Sequence, residues 1–390
     1  MSFFNFFKKI VVVIVCIAII PTFLILDTNA AKENAVFAEE DIDCVSAILI
    51  DAKTGTVLFE KNADKSLPLA SVTKIMTLLL VMEEIDAGRL KPEDNITTSK
   101  FAASMGGSQV FLKEGETMSA EEMIKSVVIS SANDAAVALA EHISGSEDVF
   151  VTKMNEKASS LGMINTNFEN TNGLDDTATR HYSSARDIAI MSRELIKYDY
   201  ILKFSSTWMD SIRNGEFVLT NTNRLVRFYP GATGLKTGST SKAKFCISAT
   251  AERNGMHLIC VIMGAPSSDV RNAIATKLLN WGFANHELFL DPSSSLSSIK
   301  VTGGTENECQ IYKNEYSVIL SKGSNKKVEA KYDLPEKIKA PIQKGDIVGS
   351  VNYYLNGELI GKTDVVSSVT IEKIDFWTLF IRILSKFLVK

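Results

Sequence analysis

Ser71-Val72-Thr73-Lys74-Ile75-Met76-Thr77-Leu78-Leu79-Leu80-Val81-Met82-Glu83-Glu84 is the stretch whose reading decides the architecture of this chain. Ile75, Met76, Leu78, Leu79, Leu80 and Met82 give it a wide apolar face, which predicts a helix from Ser71 to Glu84 buried inside a domain. Ser71 falls at the start of that helix. Ser71 and Lys74 are spaced i and i+3, so the two side chains share one face within reach of each other. The helix N-terminus also turns free N–H groups and partial positive charge toward the serine. A serine in this position can be a simple N-cap. The depth that so apolar a helix implies argues for chemistry instead.

Two more short motifs follow in order, Ser131-Ala132-Asn133 and Lys236-Thr237-Gly238. The three together supply a nucleophile, two lysines, a second hydroxyl and an amide. That set suffices for acyl transfer without a histidine base. Each motif alone is weak. S-x-x-K recurs at 239–242, 241–244, 297–300 and 324–327, S-x-N at 350–352, and K-T-G at 53–55. Order and local structure must choose among the copies.

Residues 45–50 and 56–59 read as two strands around the turn Asp51-Ala52-Lys53-Thr54-Gly55, so the first K-T-G is turn chemistry. Ser119-Ala120-Glu121-Glu122 is a capping box that opens a helix running to Ile129. The turn at 130–134 interrupts it, and another helix follows from 135 to 143. Ser183-Ser184-Ala185-Arg186-Asp187 opens a further helix. Strand-like runs at 245–251 and 257–264 flank the hairpin signal Asn254-Gly255. Gly238, next to them, suits close approach of a ligand to the backbone. A last helix of this region spans about 269–283.

The chain has 390 residues, room for two domains, and a net charge of −4 with no basic block, so nucleic acid is not expected as a partner. Lys8 and Lys9 precede an apolar run from 10 to 26, and Val36-Phe37-Ala38 offers a cleavage site. Residues 1–38 are therefore read as a signal peptide, and the protein as exported. Its removal leaves −5 and takes Cys16 away. Cys44, Cys246, Cys260 and Cys309 remain without metal-ligand spacing, and no cofactor is called for. A two-residue hairpin turn at Asn254-Gly255 puts Cys246 and Cys260 on opposite sheet faces, which argues against a disulfide between them. Asp291-Pro292-Ser293-Ser294-Ser295 reads as a linker. Residues 299–372 show short alternating segments with a turn at Asn356-Gly357, a small all-β domain. From Asp375 to Lys390, aromatic and aliphatic residues surround a narrow polar, basic stripe over about 24 Å. That is too short and too charged to span a bilayer, and it suits a helix lying in the membrane interface.

The chain resembles the low-molecular-mass penicillin-binding proteins, the serine-type D-alanyl-D-alanine carboxypeptidases. The resemblance lies in 68–77 around Ser71, in Gly106-Gly107-Ser108-Gln109 with Phe111-Leu112, in Asn172-Gly173-Leu174, in His181 and Ser184-Ala185-Arg186-Asp187, and in Gly234-Leu235-Lys236-Thr237-Gly238. It covers about residue 42 through the C-terminal helix. Ala132 stands where the second motif usually has glycine, and Ser239 where some members have histidine. The fold implied is α/β (α+β): a penicillin-binding/β-lactamase-like domain, an antiparallel sheet with helices plus an all-helical lobe, then a small all-β domain and a terminal amphipathic helix. The boundaries expected are 39–288, 289–373 and 374–390.

The resemblance implies removal of the terminal D-alanine from peptidoglycan stem peptides. Ser71 would attack the penultimate carbonyl, with Lys74 taking its proton after burial and the charge of Lys236 lower its pKa. Ser131 would pass the proton to the leaving nitrogen, and Asn133 would hold the stem-peptide amide. Lys236 and Thr237 would bind the terminal carboxylate. Gly238 would let the substrate approach the strand, and backbone N–H groups of Ser71 and Ser239 would form the oxyanion hole. β-Lactams would acylate the same serine. The location implied is the outer face of the cytoplasmic membrane, with the terminal helix as a peripheral anchor. A β-lactamase shares the three motifs, but no E-x-x-L-N segment lies between Ser131 and Lys236. A D,D-endopeptidase and a non-hydrolytic penicillin sensor stay open as alternatives.

Overall fold

The computed structural model describes residues 42–175 and 178–388. The expected signal peptide lies outside them. β1 (Ser46–Asp51) and β2 (Val57–Lys61) form the first hairpin. In its turn Asp51 Oδ1 accepts from Thr54 N at 2.7 Å and from Thr54 Oγ1 at 2.8 Å, and Gly55 sits at φ +74°. The first K-T-G is therefore a turn, its threonine engaged by Asp51.

β3 (Ala232–Thr240), β4 (Lys244–Arg253) and β5 (Met256–Ala265) complete a five-stranded antiparallel sheet in the order β2-β1-β5-β4-β3. Asn254 and Gly255 both take positive φ, and Arg253 pairs with Met256. That is the geometry a two-residue hairpin turn demands. Every residue of β1 is buried, as expected of a strand covered on both faces. The four cysteines in the described residues are free and buried.

α1 (Lys74–Asp86) follows a 3₁₀ turn at Ala70–Thr73. All its residues from Lys74 to Met82 are buried, so this helix is core on every side. Ser71 thus stands in the tightened turn ahead of the helix rather than in its first α turn. α2 (Ala120–Ile129) starts at Ser119, whose Oγ accepts from Glu122 N at 3.2 Å. The glutamate half of the box is altered: Glu122 Oε2 accepts from Ser119 Oγ at 3.2 Å, and Oε1 accepts from Arg213 N at 2.8 Å. α3 (Asn133–Ser144) begins after a break at Ser131, which has φ +62°. The helical lobe also carries two ribbons, Asn95–Thr97 with Thr117–Ser119 and Met209–Ile212 with Phe217–Thr220.

α4 (Ala185–Leu195) packs on one face of the sheet, where Ser192 Oγ meets Ser248 Oγ at 2.8 Å. α5 (Ser268–Asn285) packs on the other. A Cβ on its Gly282 would lie 2.7 Å from Leu258 Cδ1, so the absence of a side chain lets helix and sheet close.

Between α5 and the C-terminal helix the chain is built of short β-strands. β6 (His286–Asp291) pairs with β7 (Tyr316–Ser321). β8 (Val328–Asp333), β9 (Ile347–Leu355) and β10 (Glu358–Ser367) form a second sheet, which Ile311–Lys313 and Ser294–Ser295 extend at its edge. The stretch read as a linker is thus part of this layer. Pro292 O accepts from Lys313 Nζ at 2.7 Å, Lys313 is paired with Asp291, and Asp291 Oδ2 accepts from Tyr353 OH at 2.7 Å. A short polar edge strand has the composition of a linker.

α6 (Phe376–Leu388) ends the chain, with Asp375 Oδ1 accepting from Trp377 N at 2.9 Å and Thr378 N at 3.0 Å. Phe376, Trp377, Phe380 and Ile381 are exposed. Arg382 is turned back, donating to Asn307 Oδ1 at 3.2 Å and to Thr305 O. No helix in the described residues is long and apolar enough to cross a membrane.

Candidate active site

The turn bearing Ser71 is clamped from three directions. Ala70 is held at φ +49°, and Thr73 Oγ1 donates to its carbonyl at 2.8 Å. His181 Nδ1 accepts from Glu169 N at 3.0 Å, so its ring proton is on Nε2, which donates to Thr73 Oγ1 at 2.7 Å. Burial pushes His181 down to about 4 and keeps it neutral. Gly173 presses on the same turn: a Cβ there would lie 1.9 Å from Ala70 O. Gly238 of β3 closes the third side, where a Cβ would lie 2.8 Å from Ser71 N.

Lys74 is fully buried, with Nζ 2.9 Å from Ser71 Oγ, 2.6 Å from Asn133 Oδ1 and 2.7 Å from Asn172 O. Burial first, and the charge of Lys236 second, hold its pKa well below the usual lysine range, against a smaller pull from Asp134. The three partners suit a neutral amine. Asn133 Oδ1 and Asn172 O can only accept, and they take its two N–H groups. Its lone pair is left facing the Ser71 hydroxyl, which can donate. The arrangement can therefore accept the serine proton.

Asn133 is engaged more fully than its expected role on substrate implied. Its Nδ2 donates to Gly106 O at 2.7 Å, which fixes the side-chain oxygen on Lys74, and its backbone N donates to Ser108 O at 2.7 Å. The carboxylate of the neighbouring Asp134 is taken up by backbone amides. It accepts from Leu112 N at 3.0 Å, Ala135 N at 2.9 Å and Val110 N, tying the 106–112 rim to the start of α3.

Lys236 reaches from β3 to the break before α3, donating to Ser131 Oγ at 2.8 Å and to Thr237 O at 2.9 Å. Burial, with a smaller push from Arg271, lowers it to about 7. Arg271 of α5 is buried too, donating to Cys246 O at 3.3 Å. Thr237 Oγ1 donates to Thr222 Oγ1 at 2.8 Å. Ser239 is exposed at the mouth, directly after Gly238.

Ser71, Lys74, Ser131, Asn133, Lys236 and Thr237 thus converge, and Gly238 backs the serine. Asn172 O, Asp134, Thr222 and Arg271 belong to the same surroundings; the sequence pointed to Asn172 only through the resemblance at 172–174 and gave none of the four a role in the site. Asn172 acts through a backbone carbonyl, which leaves no side-chain signature. Arg271 is one arginine in an ordinary helix pattern, and its burial appears in space alone.

Comparison with known proteins gives the family. Residues 30–267 match the family model described as D-alanyl-D-alanine carboxypeptidase, and 285–373 match the C-terminal domain of penicillin-binding protein 5. The D-alanyl-D-alanine carboxypeptidase DacF of Bacillus subtilis is 44% identical over 340 residues, 85% of this chain and 87% of that one. DacC of Escherichia coli is 34% identical over 366 residues, 91% and 90% of the two chains. The crystal structure of penicillin-binding protein 5 from Haemophilus influenzae superposes with a TM-score of 0.75 at 32% identity, covering 85% of this chain and 98% of that one. The α/β fold with its helical lobe and the all-β domain behind it are those of a penicillin-binding protein, and the chain belongs to the serine-type D-alanyl-D-alanine carboxypeptidase family, a family of hydrolases.

Proposed function

We propose that Ser71 is the nucleophile of this carboxypeptidase and Lys74 its base. The observation that carries the assignment is the set of three partners around Lys74 Nζ, which suits a neutral amine with its lone pair on Ser71 Oγ. Ser71 attacks the penultimate carbonyl of a stem peptide ending in D-Ala-D-Ala and forms an acyl-enzyme. Backbone N–H groups of Ser71 and Ser239 receive the developing oxyanion. The closeness of Gly238 to Ser71 N supports this, since it brings the strand alongside the turn. Ser131, bonded to Lys236, passes a proton to the departing nitrogen. Lys236 and Thr237 hold the terminal carboxylate. Asn133 orients Lys74 and offers its remaining amide hydrogen to the peptide. Water then hydrolyses the ester, and β-lactams acylate the same serine.

The chain is exported after cleavage near residue 38, and its work is divided among a catalytic domain at 39–288, a β domain at 289–373 and an anchor at 374–390. The exposed aromatic face of α6 supports an anchor lying in the outer surface of the cytoplasmic membrane. The test is D-alanine release and covalent penicillin labelling by the wild type and Ser71→Ala. Both activities must vanish in the variant. Retained hydrolysis would remove Ser71 from its role.

A further inference from the structure

D-Alanine release makes no use of a cavity at the far end of the sheet. Its volume is about 420 Å³, room for a short peptide segment. Its walls are the Asn254-Gly255 hairpin between β4 and β5, the last turn of α5, and the start of β6 with the 322–325 loop that follows β7. Cys246 of β4 pairs with Gly238 beside the nucleophile. Arg253 lies seven residues further along the same strand, about 24 Å at 3.4 Å per residue. The cavity is therefore separate from the catalytic cleft.

Its cationic side is held in place. The Arg253 guanidinium stacks against two rings, 4.5 Å from the Tyr229 centroid and 4.8 Å from that of Phe283. Its Nε and Nη2 donate to Pro230 O at 3.1 Å and 2.9 Å, which fixes the guanidinium plane and leaves the N–H groups of Nη1 for a ligand. The exposed Lys322 adds an ammonium to the same cavity. Asn280 Oδ1 accepts from Tyr229 OH at 2.9 Å, so the free side of that amide is its Nδ2 donor. The cavity also holds two acceptors. His286 Nδ1 donates to Gly282 O at 3.2 Å, and burial lowers the ring's pKa, so Nε2 of the neutral ring carries a lone pair. Asn325 Nδ2 donates to Leu288 O at 2.9 Å, while its Oδ1 is buried and has no hydrogen-bond partner among the described residues. A buried acceptor left unpaired is costly, and a ligand N–H relieves it. Glu287 lines the cavity too, but its carboxylate is engaged by its neighbouring loop. Oε1 accepts from Asn325 N at 2.7 Å, and the backbone N–H groups of Gly323 and Ser324 bond to it as well.

We propose that this cavity is a second, non-catalytic site that takes the C-terminus of a stem peptide. The free carboxylate goes to Arg253 and Lys322, and peptide N–H groups go to Asn325 Oδ1 and His286 Nε2. Asn280 donates to a peptide carbonyl, and alanine methyl groups lie against Phe283. The inference takes its ligand class from the stem-peptide reading above. A stem that has lost its terminal D-alanine still ends in a D-alanine carboxylate, so the product keeps the group that the cationic side recognises. The cavity then holds the enzyme on wall that it has already trimmed. The catalytic cleft stays open to another stem, at a raised local concentration.

The experiment uses the full chain with Ser71 acylated by excess penicillin, which closes the catalytic cleft. Titration calorimetry then measures binding of the stem tetrapeptide. One tetrapeptide should bind per chain, and the same peptide with an amidated C-terminus should bind about tenfold more weakly or worse. Arg253→Gln should weaken the tetrapeptide by about tenfold or more. Because Arg253 also packs on Tyr229 and Phe283, the exposed Lys322→Glu is the second variant, with an expected loss of about fivefold or more. Without penicillin, both variants should release D-alanine from pentapeptide within about twofold of wild type, which reports that they fold. No binding to the acylated chain overturns the proposal. So does equal binding of the amidated peptide, or binding that both variants leave unchanged. Failure of the carboxypeptidase reading shows separately, as a wild type that neither releases D-alanine nor takes up penicillin.

Discussion

Lys236 Nζ and Ser131 Oγ stand 2.8 Å apart, joining a β-strand to a helix break 105 residues away. Among the described residues neither Lys236 nor Lys74 has an acidic partner within ion-pair distance. Both amines are desolvated, so holding them in the fold costs stability whether they are charged or kept neutral by a lowered pKa.

Lys236→Met should accordingly trade activity for stability. D-Alanine release should fall by about 10²–10³-fold, as for loss of a group that stabilises developing charge. The folded state should gain about 1–2 kcal/mol. The folded pKa, about 7, lies below the ordinary lysine value of 10.5. Below pH 7 the amine is charged in both states and the folded protein bears the full cost. Between 7 and 10.5 it is neutral in the folded state alone, so wild-type stability from this group rises with pH. The gain in the variant should be largest at pH 6 and shrink toward pH 10. Calorimetry across that range checks it, and a variant less stable at pH 6 would contradict it.

Substrate binding should draw protons. Above about pH 7 Lys236 is neutral in the free enzyme, and a bound carboxylate restores its charge. Binding of an uncleaved pentapeptide to Ser71→Ala at pH 8 should take up a fraction of a proton, and KM should rise as pH climbs through 7. Titration calorimetry in buffers of different ionisation enthalpy measures the uptake. Heats independent of the buffer would exclude it.

Asp134→Asn should shift the acid side of the pH profile. Asp134 raises the pKa of Lys74, opposing burial and Lys236. Removing its charge lowers that pKa, so the neutral base persists to lower pH and the acid limb of kcat/KM moves down. The substituted amide also turns N–H groups toward Val110 N or Leu112 N, costing about 1–3 kcal/mol. A pH–rate profile with thermal melts separates the two effects.

Gly173→Ala should displace the nucleophile. The added Cβ would meet Ala70 O at 1.9 Å, on a backbone at φ +87°. The expected loss is about 2–4 kcal/mol, with penicillin acylation slowed more than a mild fold defect explains. Acylation at the wild-type rate would show that the clamp on the turn is dispensable.

Trp377→Ser/Phe380→Ser should release the protein from vesicles. Trp377 is 69% and Phe380 47% exposed. Removing both should weaken partition to anionic liposomes by about tenfold or more, leaving D-alanine release from soluble pentapeptide unchanged. Unaltered flotation would refute the interfacial role of α6.

The sequence by itself determined much of this protein. The run from Ile75 to Met82, apolar except at Thr77, required a buried helix, Ser119 with Glu122 marked a helix start, and Asn254-Gly255 dictated a hairpin and its register. These signals are local: a cap, a turn or a helix face is set by residues within a few positions. The same locality separated the turn at Lys53-Thr54-Gly55 from its later copy. What only the tertiary structure decided is how the three motifs act on one another. The lowered pKa of Lys74 comes from burial and from Lys236, and its amine is held by Asn133 and Asn172, 59 and 98 residues away. The lowered pKa of Lys236 depends on burial and on Arg271 of a helix across the domain. The serines at 294–295 read as a linker because nothing in their composition names the strand that pairs with them. Hydrogen-bond partners brought by long-range folding, and the low dielectric that folding creates around them, are properties of the assembled core, and no window of sequence contains them.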